Sequence, residues 1–329
     1  MVEVIDLSPE TRSALGRLSD RITADPYRSG MAFVEEARAA TPHLPSELVR
    51  SLARAGAHEG TPVLLVRGLP VPSGLPPTPN VKFDHQREIG RLGTEALLAL
   101  LGSCVGEIFT YREWDSGHMV QNRYPIASHR TIQSATGSTE LVLHTEAAFA
   151  ALSPDHLVLL GLRADPGSSV QTVVADIGTA LESISASSRR QLAAPMFAFP
   201  SDHGSHMAGG PRMTEPHPIL RQTTEGLCLD YQHSITPLSP EGAMALAELN
   251  AAFTAAAEGV TLRSGEALVI DNRRAVHGRT ALQPRFDGTD RWIQRVLLRR
   301  TLPADERVVS DSRFDQYPSE FRSTLARPK

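Results

Sequence analysis

Leu141-Val-Leu-His-Thr-Glu-Ala-Ala-Phe149 decides how this chain is read. Leu141 to Leu143 has the pattern of a buried strand and runs directly into His144-Thr145-Glu146. In extended backbone, residues i and i+2 point to one face, so His144 and Glu146 aim an imidazole and a carboxylate at one point. A single metal ion can sit there, but two ligands do not hold a catalytic metal. The third candidate is His277, at the end of Ala267-Leu-Val-Ile-Asp-Asn-Arg-Arg-Ala-Val-His277, where a second apolar strand is closely followed by a His. Two His and one carboxylate on one face of an octahedron form the facial triad of non-haem Fe(II) oxygenases, with positions open for substrate and O₂.

A lone His-x-Glu is a weak motif, common on exposed strands. Arg291, in Phe286-Asp-Gly-Thr-Asp-Arg-Trp-Ile-Gln-Arg-Val296, strengthens it. A metal-bound 2-oxo acid needs a cation at its far carboxylate, and a guanidinium offers a planar fork that matches a carboxylate with two hydrogen bonds. His277 and Arg291 are expected on adjacent strands, joined by the turn-rich Pro284-Arg-Phe-Asp-Gly-Thr289.

With 329 residues, 41% of them hydrophobic and 21% charged, the chain can bury a sizeable core. A net charge of −4 without a basic stripe argues against a dedicated nucleic-acid or membrane-surface binder. Only Lys82 and Lys329 are lysines among 33 basic residues, which reads as genomic base composition. Cys104 and Cys228 lie in apolar contexts and are expected as buried thiols. The chain shows no signal peptide and no apolar run long enough to cross a membrane, so a reducing cytoplasm is the expected location.

Residues 1–60 read as a helical outer layer, with Ser8 as an N-cap before Pro9. Val63-Leu-Leu-Val is a buried strand, and residues 88–101 form a helix. From about 105 to 302 the signals are short strands, interrupted by helical patterns at 177–184, 187–192 and about 240–258. Residues 201–218, rich in Gly, Pro and His, read as either a surface loop or an active-site lid. His203, His206 and His217 within it are spaced too irregularly to predict a second metal site. The whole predicts a single, mainly β domain with flanking helices: a β-sandwich or jelly roll rather than a parallel α/β sheet.

His144-Thr-Glu146, Leu162-Arg-Ala-Asp-Pro166, Asp271-Asn-Arg-Arg-Ala-Val-His277 and Pro284-Arg-Phe-Asp-Gly-Thr-Asp-Arg-Trp292 resemble clavaminate synthase and its relatives. Leu64-Leu-Val-Arg-Gly-Leu-Pro-Val71 extends the resemblance over most of the chain. These are Fe(II)/2-oxoglutarate-dependent oxygenases of amino acids and amino-acid-derived metabolites. The resemblance implies a double-stranded β-helix (jelly-roll) core, and Fe(II), 2-oxoglutarate and O₂ as cofactor and cosubstrates. It implies His144, Glu146 and His277 as iron ligands, with Arg291 and Thr172 on 2-oxoglutarate. It also implies Arg295 at the substrate carboxylate and Ser134 as a further substrate contact. The expected reaction is hydroxylation, at C3 or C4, of an amino acid in specialised metabolism such as antibiotic biosynthesis; desaturation or ring closure is the alternative outcome.

One departure bears on the substrate. In Leu229-Asp-Tyr-Gln-His-Ser234, Gln232 stands where guanidino-binding relatives carry an acid. A buried guanidinium without a carboxylate is strongly disfavoured. A neutral side chain is therefore expected, with the amino group near Glu146, unless Asp230, on the same alternating face, restores the acid. Two readings from other classes stand beside this one: a Zn hydrolase built on the same three ligands, which has no use for Arg291, and a catalytically silent jelly-roll binding module.

Overall fold

Strand β6 (His156–Arg163) alternates between two cores. Leu157 and Leu159 face one apolar cluster; Val158, Leu160 and Leu162 face another. A strand buried on both faces reads as an unbroken apolar run, which is why these segments lack polar alternation. The computed structural model of the chain describes residues 2–82, 90–111, 114–150, 152–167, 169–200 and 213–302.

Around β6 lies a seven-stranded sheet in the order β1 (Val2–Asp6), β2 (Val63–Arg67), β13 (Glu266–Asp271), β6, β15 (Trp292–Arg299), β3 (Glu107–Phe109), with β4 (Gln121–Arg123) also on β15. Only the β1–β2 pair is parallel. Its outer face carries α1 (Pro9–Arg21), α2 (Gly30–Ala40), α3 (Ser46–Gly56) and α4 (Thr94–Val105). Helix α1 begins as its sequence predicts: the Ser8 side chain accepts from the Thr11 amide and Pro9 opens the first turn. Residues 1–60 thus hold three helices and also a strand, β1, which pattern reading did not separate from them. Helix α4 is buried almost throughout, because helices on one side and the sheet on the other enclose it.

A second, four-stranded antiparallel sheet faces the inner side of the first. Its order is β12 (Glu258–Val260), β7 (Thr172–Asp176), β14 (Ala275–Arg279), β5 (Leu141–His144). Between β7 and β12 the chain adds α5 (Ile177–Glu182), α6 (Ala186–Leu192) and α7 (Pro240–Ala256), with α5 and α6 each packed on α7. Two short antiparallel pairs complete this region: β8 (Phe197–Ala198) with β11 (Thr236–Pro237), and β9 (Leu220–Thr223) with β10 (Gly226–Leu229). The fold is therefore rich in mixed sheet with flanking helices. Residues 201–212, the larger part of the Gly- and His-rich stretch with His203 and His206, lie outside the described residues. No helix among the described residues is long and apolar enough to cross a membrane. Both cysteines are free thiols, Cys228 buried and Cys104 half-buried.

Three expectations need correction. Strand β5 is half-buried, not buried, because it is the edge of the smaller sheet. His277 does not trail an apolar strand of its own sheet. The chain leaves β13 in the large sheet, turns at Asn272-Arg273-Arg274, and enters β14 in the small one. Nor are His277 and Arg291 on adjacent strands: the segment after β14 crosses back, so Arg291 immediately precedes β15 of the large sheet. They approach each other across facing sheets, not along a ladder.

Candidate active site

His144 and His277 are direct cross-strand partners of β5 and β14. Their ring centroids are 4.4 Å apart, with planes inclined by 45°. Gly278 allows this approach, since a Cβ there would lie 2.5 Å from the Leu141 carbonyl oxygen. His144 Nδ1 donates to the Val142 carbonyl at 2.9 Å, which fixes the tautomer and leaves Nε2 as the free lone pair. Glu146 Oε2 lies 3.9 Å from His144 Nε2 and 3.7 Å from His277 Nε2. All three residues offer ligand atoms within 4.8 Å of one another. With metal–ligand bonds of about 2.1 Å, neighbouring ligand atoms around one ion lie about 3 to 3.5 Å apart. The two edges to Glu146 exceed that by only a few tenths of an ångström, so the residues fit a bound metal.

Charge supports the same assignment. Burial alone would raise the Glu146 carboxyl, but Arg295 and the two imidazoles hold it well below the usual carboxylate range. Burial, with His144 alongside, pushes His277 down to about 4, so its imidazole is neutral at pH 7 and free to donate a lone pair. A carboxylate and neutral imidazoles are the forms a divalent ion binds.

Glu146 lies just past the end of β5, and its backbone is held from two sides. The Thr145 amide donates to the Tyr231 carbonyl at 2.7 Å, and the Tyr231 amide donates to Thr145 Oγ1 at 2.9 Å. The Asn272 side chain accepts from the Glu146 amide at 2.7 Å and donates to its carbonyl at 3.2 Å. Ala147 follows at φ +52°, a left-handed conformation that costs an L-residue about 1–2 kcal/mol.

Arg291 is buried, and its Nη2 donates to Thr172 Oγ1 at 3.2 Å. The two residues that the resemblance assigned to one cosubstrate are thus brought together from β7 and the start of β15. Among the described residues no carboxylate lies within ion-pair distance of Arg291. Burial, with Arg279 nearby, lowers its guanidinium to about 9. A buried cation so placed calls for an anionic ligand. The Asp-Gly-Thr-Asp motif before it shapes the approach. Both Asp290 oxygens accept backbone amides, from Arg285 at 2.8 Å and Phe286 at 2.7 Å. Gly288 takes φ +88°, with Pro77 close against its Cα.

Arg295 has two of its nitrogens on Gln121 Oε1, at 2.9 and 2.7 Å, and Nη1 on Glu146 Oε2 at 2.6 Å. It thus braces the triad carboxylate. Gln121 Oε1 also accepts from Arg123, which forms a two-bonded pair with Asp115. Sequence reading missed Gln121, which stands in the short stretch Met119-Val-Gln-Asn-Arg123 with no recognisable motif around it. It also passed over Asn272, although the Asp-Asn-Arg-Arg run was in view. Ser134 lies in an irregular loop, half-buried, its hydroxyl 3.3 Å from Thr136 Oγ1. Gln232 donates to the Pro200 carbonyl at 2.8 Å and to Ser234 at 3.2 Å. Asp230 is buried and accepts from Arg221 Nε at 2.9 Å, so its charge is already matched.

A second cluster, His58, His156 and Asp271, also gathers potential ligand atoms. Its two rings stack 4.6 Å apart with planes only 21° apart. An imidazole lone pair lies in the ring plane, and two stacked, nearly parallel planes share no point beside both rings where one ion could sit. These residues instead tether α3 to the sheet: His58 Nδ1 donates to Asp271 at 2.9 Å and His156 Nε2 to the Ala55 carbonyl at 2.9 Å.

The family model for taurine catabolism dioxygenase TauD, TfdA family, matches residues 41–297. The chain belongs to the TauD/TfdA family. Among relatives within it, L-asparagine oxygenase of Streptomyces coelicolor is 36% identical over 286 residues, covering 84% of this chain and 85% of that protein. Clavaminate synthase 2 of Streptomyces clavuligerus is 31% identical over 306 residues, 90% of this chain and 92% of that one. L-lysine 3-hydroxylase of Catenulispora acidiphila is 32% identical over 302 residues, 89% and 82%. The TauD/TfdA fold is also matched by a crystal structure of asparagine oxygenase in complex with Fe(II), 2S,3S-3-hydroxyasparagine and succinate. That match has a TM-score of 0.84 and 33% identity, and covers 95% of this chain and 99% of the other.

Proposed function

We propose that this chain is an Fe(II)/2-oxoglutarate-dependent oxygenase that hydroxylates an unactivated C–H of an L-amino acid or close derivative with a neutral side chain. The observation that carries the reading is the pairing of two separate sites in one interior: the His144–Glu146–His277 cluster and, across the sheets, the buried Arg291 with Thr172. A Zn hydrolase gives no use for that second site. We read the two facing sheets as a double-stranded β-helix and residues 1–329 as one domain around it.

When bound, iron with 2-oxoglutarate supplies oxidative decarboxylation coupled to O₂ activation and C–H hydroxylation. His144, Glu146 and His277 hold the metal. Arg291 and Thr172 receive the far carboxylate of 2-oxoglutarate, and burial strengthens that contact by lowering the local dielectric. Arg295 retains N–H groups beyond those on Gln121 and Glu146, and these are offered to the substrate carboxylate. The amino group lies by Glu146, and Ser134 borders the same space. Holding one C–H in place and excluding water is the protein's share of the rate.

The side-chain preference rests on Gln232 and Asp230. Gln232 presents an amide where an acid would select a cation. Asp230, paired with Arg221, has no charge left to offer a guanidinium or ammonium. L-asparagine, the substrate named for one relative, fits this pocket chemistry; L-lysine, named for another, does not. The test is an anaerobic titration with Fe(II) and 2-oxoglutarate followed by a screen for coupled succinate release. Asparagine, glutamine, proline-like and aliphatic amino acids are compared with arginine, lysine and ornithine. Turnover with members of the first group is expected. Turnover confined to the cationic group, and abolished by Asp230→Asn, overturns the neutral-substrate assignment; no amino-acid-stimulated succinate at all overturns the reaction.

A further inference from the structure

Asn272 sits in the turn between β13 and β14, five residues before His277, and is 3% exposed. Both N–H donors of its side chain and one acceptor position on Oδ1 are used. Oδ1 accepts from the Glu146 amide at 2.7 Å; Nδ2 donates to the Glu146 carbonyl at 3.2 Å and to the Pro154 carbonyl at 2.9 Å. Its own amide donates to the Asp155 carbonyl at 2.9 Å. The carboxamide thus replaces a neighbouring strand at the point where β5 has ended and Glu146 would otherwise have no ladder partner. Buried backbone groups need such partners.

We propose that Asn272 is a positioning residue that fixes the Glu146 backbone relative to His277, so that the triad is assembled before the metal arrives. The inference rests on the reading of that triad as the metal site. The remaining residues of the Asp271–Arg274 run anchor the same turn without touching Glu146. Asp271 accepts from the Arg273 amide at 3.0 Å and from His58. Arg273 pairs with Asp155 and with Glu225. Arg274 donates to the carbonyls of His58 and Gly60, at 2.7 and 3.0 Å. Of the hydrogen bonds named for this turn, those of Asn272 are the ones that reach Glu146. No other short side chain replaces it: a carboxylate keeps the acceptor but loses both donors, and alanine leaves three buried backbone groups unpaired.

The experiment measures Co(II) affinity and the Co(II) ligand-field spectrum of the full chain, with Asn272→Ala compared with Arg274→Ala. Loss of an outer partner of a ligand typically weakens metal binding about 10- to 100-fold. That loss, with an altered spectrum, is expected for Asn272→Ala, while the apparent KM for 2-oxoglutarate at saturating Fe(II) stays near wild type because Arg291 and Thr172 are untouched. Arg274→Ala loosens the same turn and is expected to lower thermal stability with unchanged Co(II) affinity and spectrum. The proposal is overturned if Asn272→Ala binds Co(II) like the wild type, or if Arg274→Ala weakens binding equally. Should Asn272→Ala fail to fold, Asn272→Asp is used, with the same loss expected and wild-type affinity as the contrary result. If His277→Ala and Glu146→Ala also keep Co(II) in place, it is the triad reading that fails.

Discussion

His144 and His277 face each other across β5 and β14 in direct register, with ring centroids 4.4 Å apart. The register does what sequence spacing cannot: it sets two imidazoles from distant parts of the chain beside one carboxylate. Removal of either ring leaves two ligands, too few for a catalytic ion. His277→Ala is expected to abolish the visible charge-transfer band of the Fe(II)–2-oxoglutarate complex, and to reduce kcat/KM by more than the roughly 100-fold typical of losing an outer partner. Anaerobic absorption spectroscopy checks this; a variant that keeps both band and turnover removes His277 from the site.

The Arg291–Thr172 pair should govern the cosubstrate alone. Arg291→Lys keeps the charge but loses the planar fork, and one charge-assisted hydrogen bond contributes about 1.5–3 kcal/mol. The expected result is a rise of roughly 10- to 100-fold in the KM for 2-oxoglutarate, with Fe(II) affinity unchanged. Steady-state kinetics at varied 2-oxoglutarate decide; an unchanged KM assigns the far carboxylate to another cation.

Arg279 binds the loop that carries Ser134. Its guanidinium donates to the carbonyls of Ala135, Gly137 and Thr139, at 3.2, 2.9 and 2.6 Å. Burial lowers it to about 10, so it remains charged at neutral pH. Arg279→Gln should destabilise the fold by about 1–3 kcal/mol, the penalty for leaving buried carbonyls unpaired. It should also raise the KM for the amino acid more than that for 2-oxoglutarate. Chemical denaturation and a two-substrate kinetic comparison test both parts.

His156 makes the fold acid-sensitive. Burial depresses it from 6.5 to about 4. Between those values the unfolded chain binds the proton and the folded chain does not, so stability falls as pH drops from about 6.5 towards 4. Full development of the shift corresponds to about 3 kcal/mol. His156→Asn should lower stability at pH 7, where the Ala55 contact is weakened, yet flatten this acid limb. Urea unfolding of both proteins at pH values from 4.5 to 7 measures the slopes, and parallel slopes would exclude His156 as the source.

The fold was legible where periodicity is local. The apolar runs of β2 and β13 were readable as strands, and the Ser8-Pro9 start of α1 was written in two residues. β1 was not separable from the helical region, because five residues at an edge that gain their partner from β2, far along the chain, carry little pattern of their own. The ends of α4 shifted for the same reason: burial on all sides removes the amphipathic period by which a boundary is read.

For the site, the sequence by itself determined the candidate ligand types, through the two-residue spacing of His144 and Glu146, and the turn chemistry before Arg291, through Gly288 and Asp290. Tertiary structure alone decided the rest. It placed His277 opposite His144 by strand register, sent β13 and β14 to different sheets, and brought Arg291 to Thr172 across the interior. It also turned Arg295 and Gln121 into supports for Glu146 and committed Asp230 to Arg221. Spacing along a strand fixes direction over a few residues, but which strands become neighbours depends on the burial of both sheet faces at once, a property of the whole chain that no single stretch encodes.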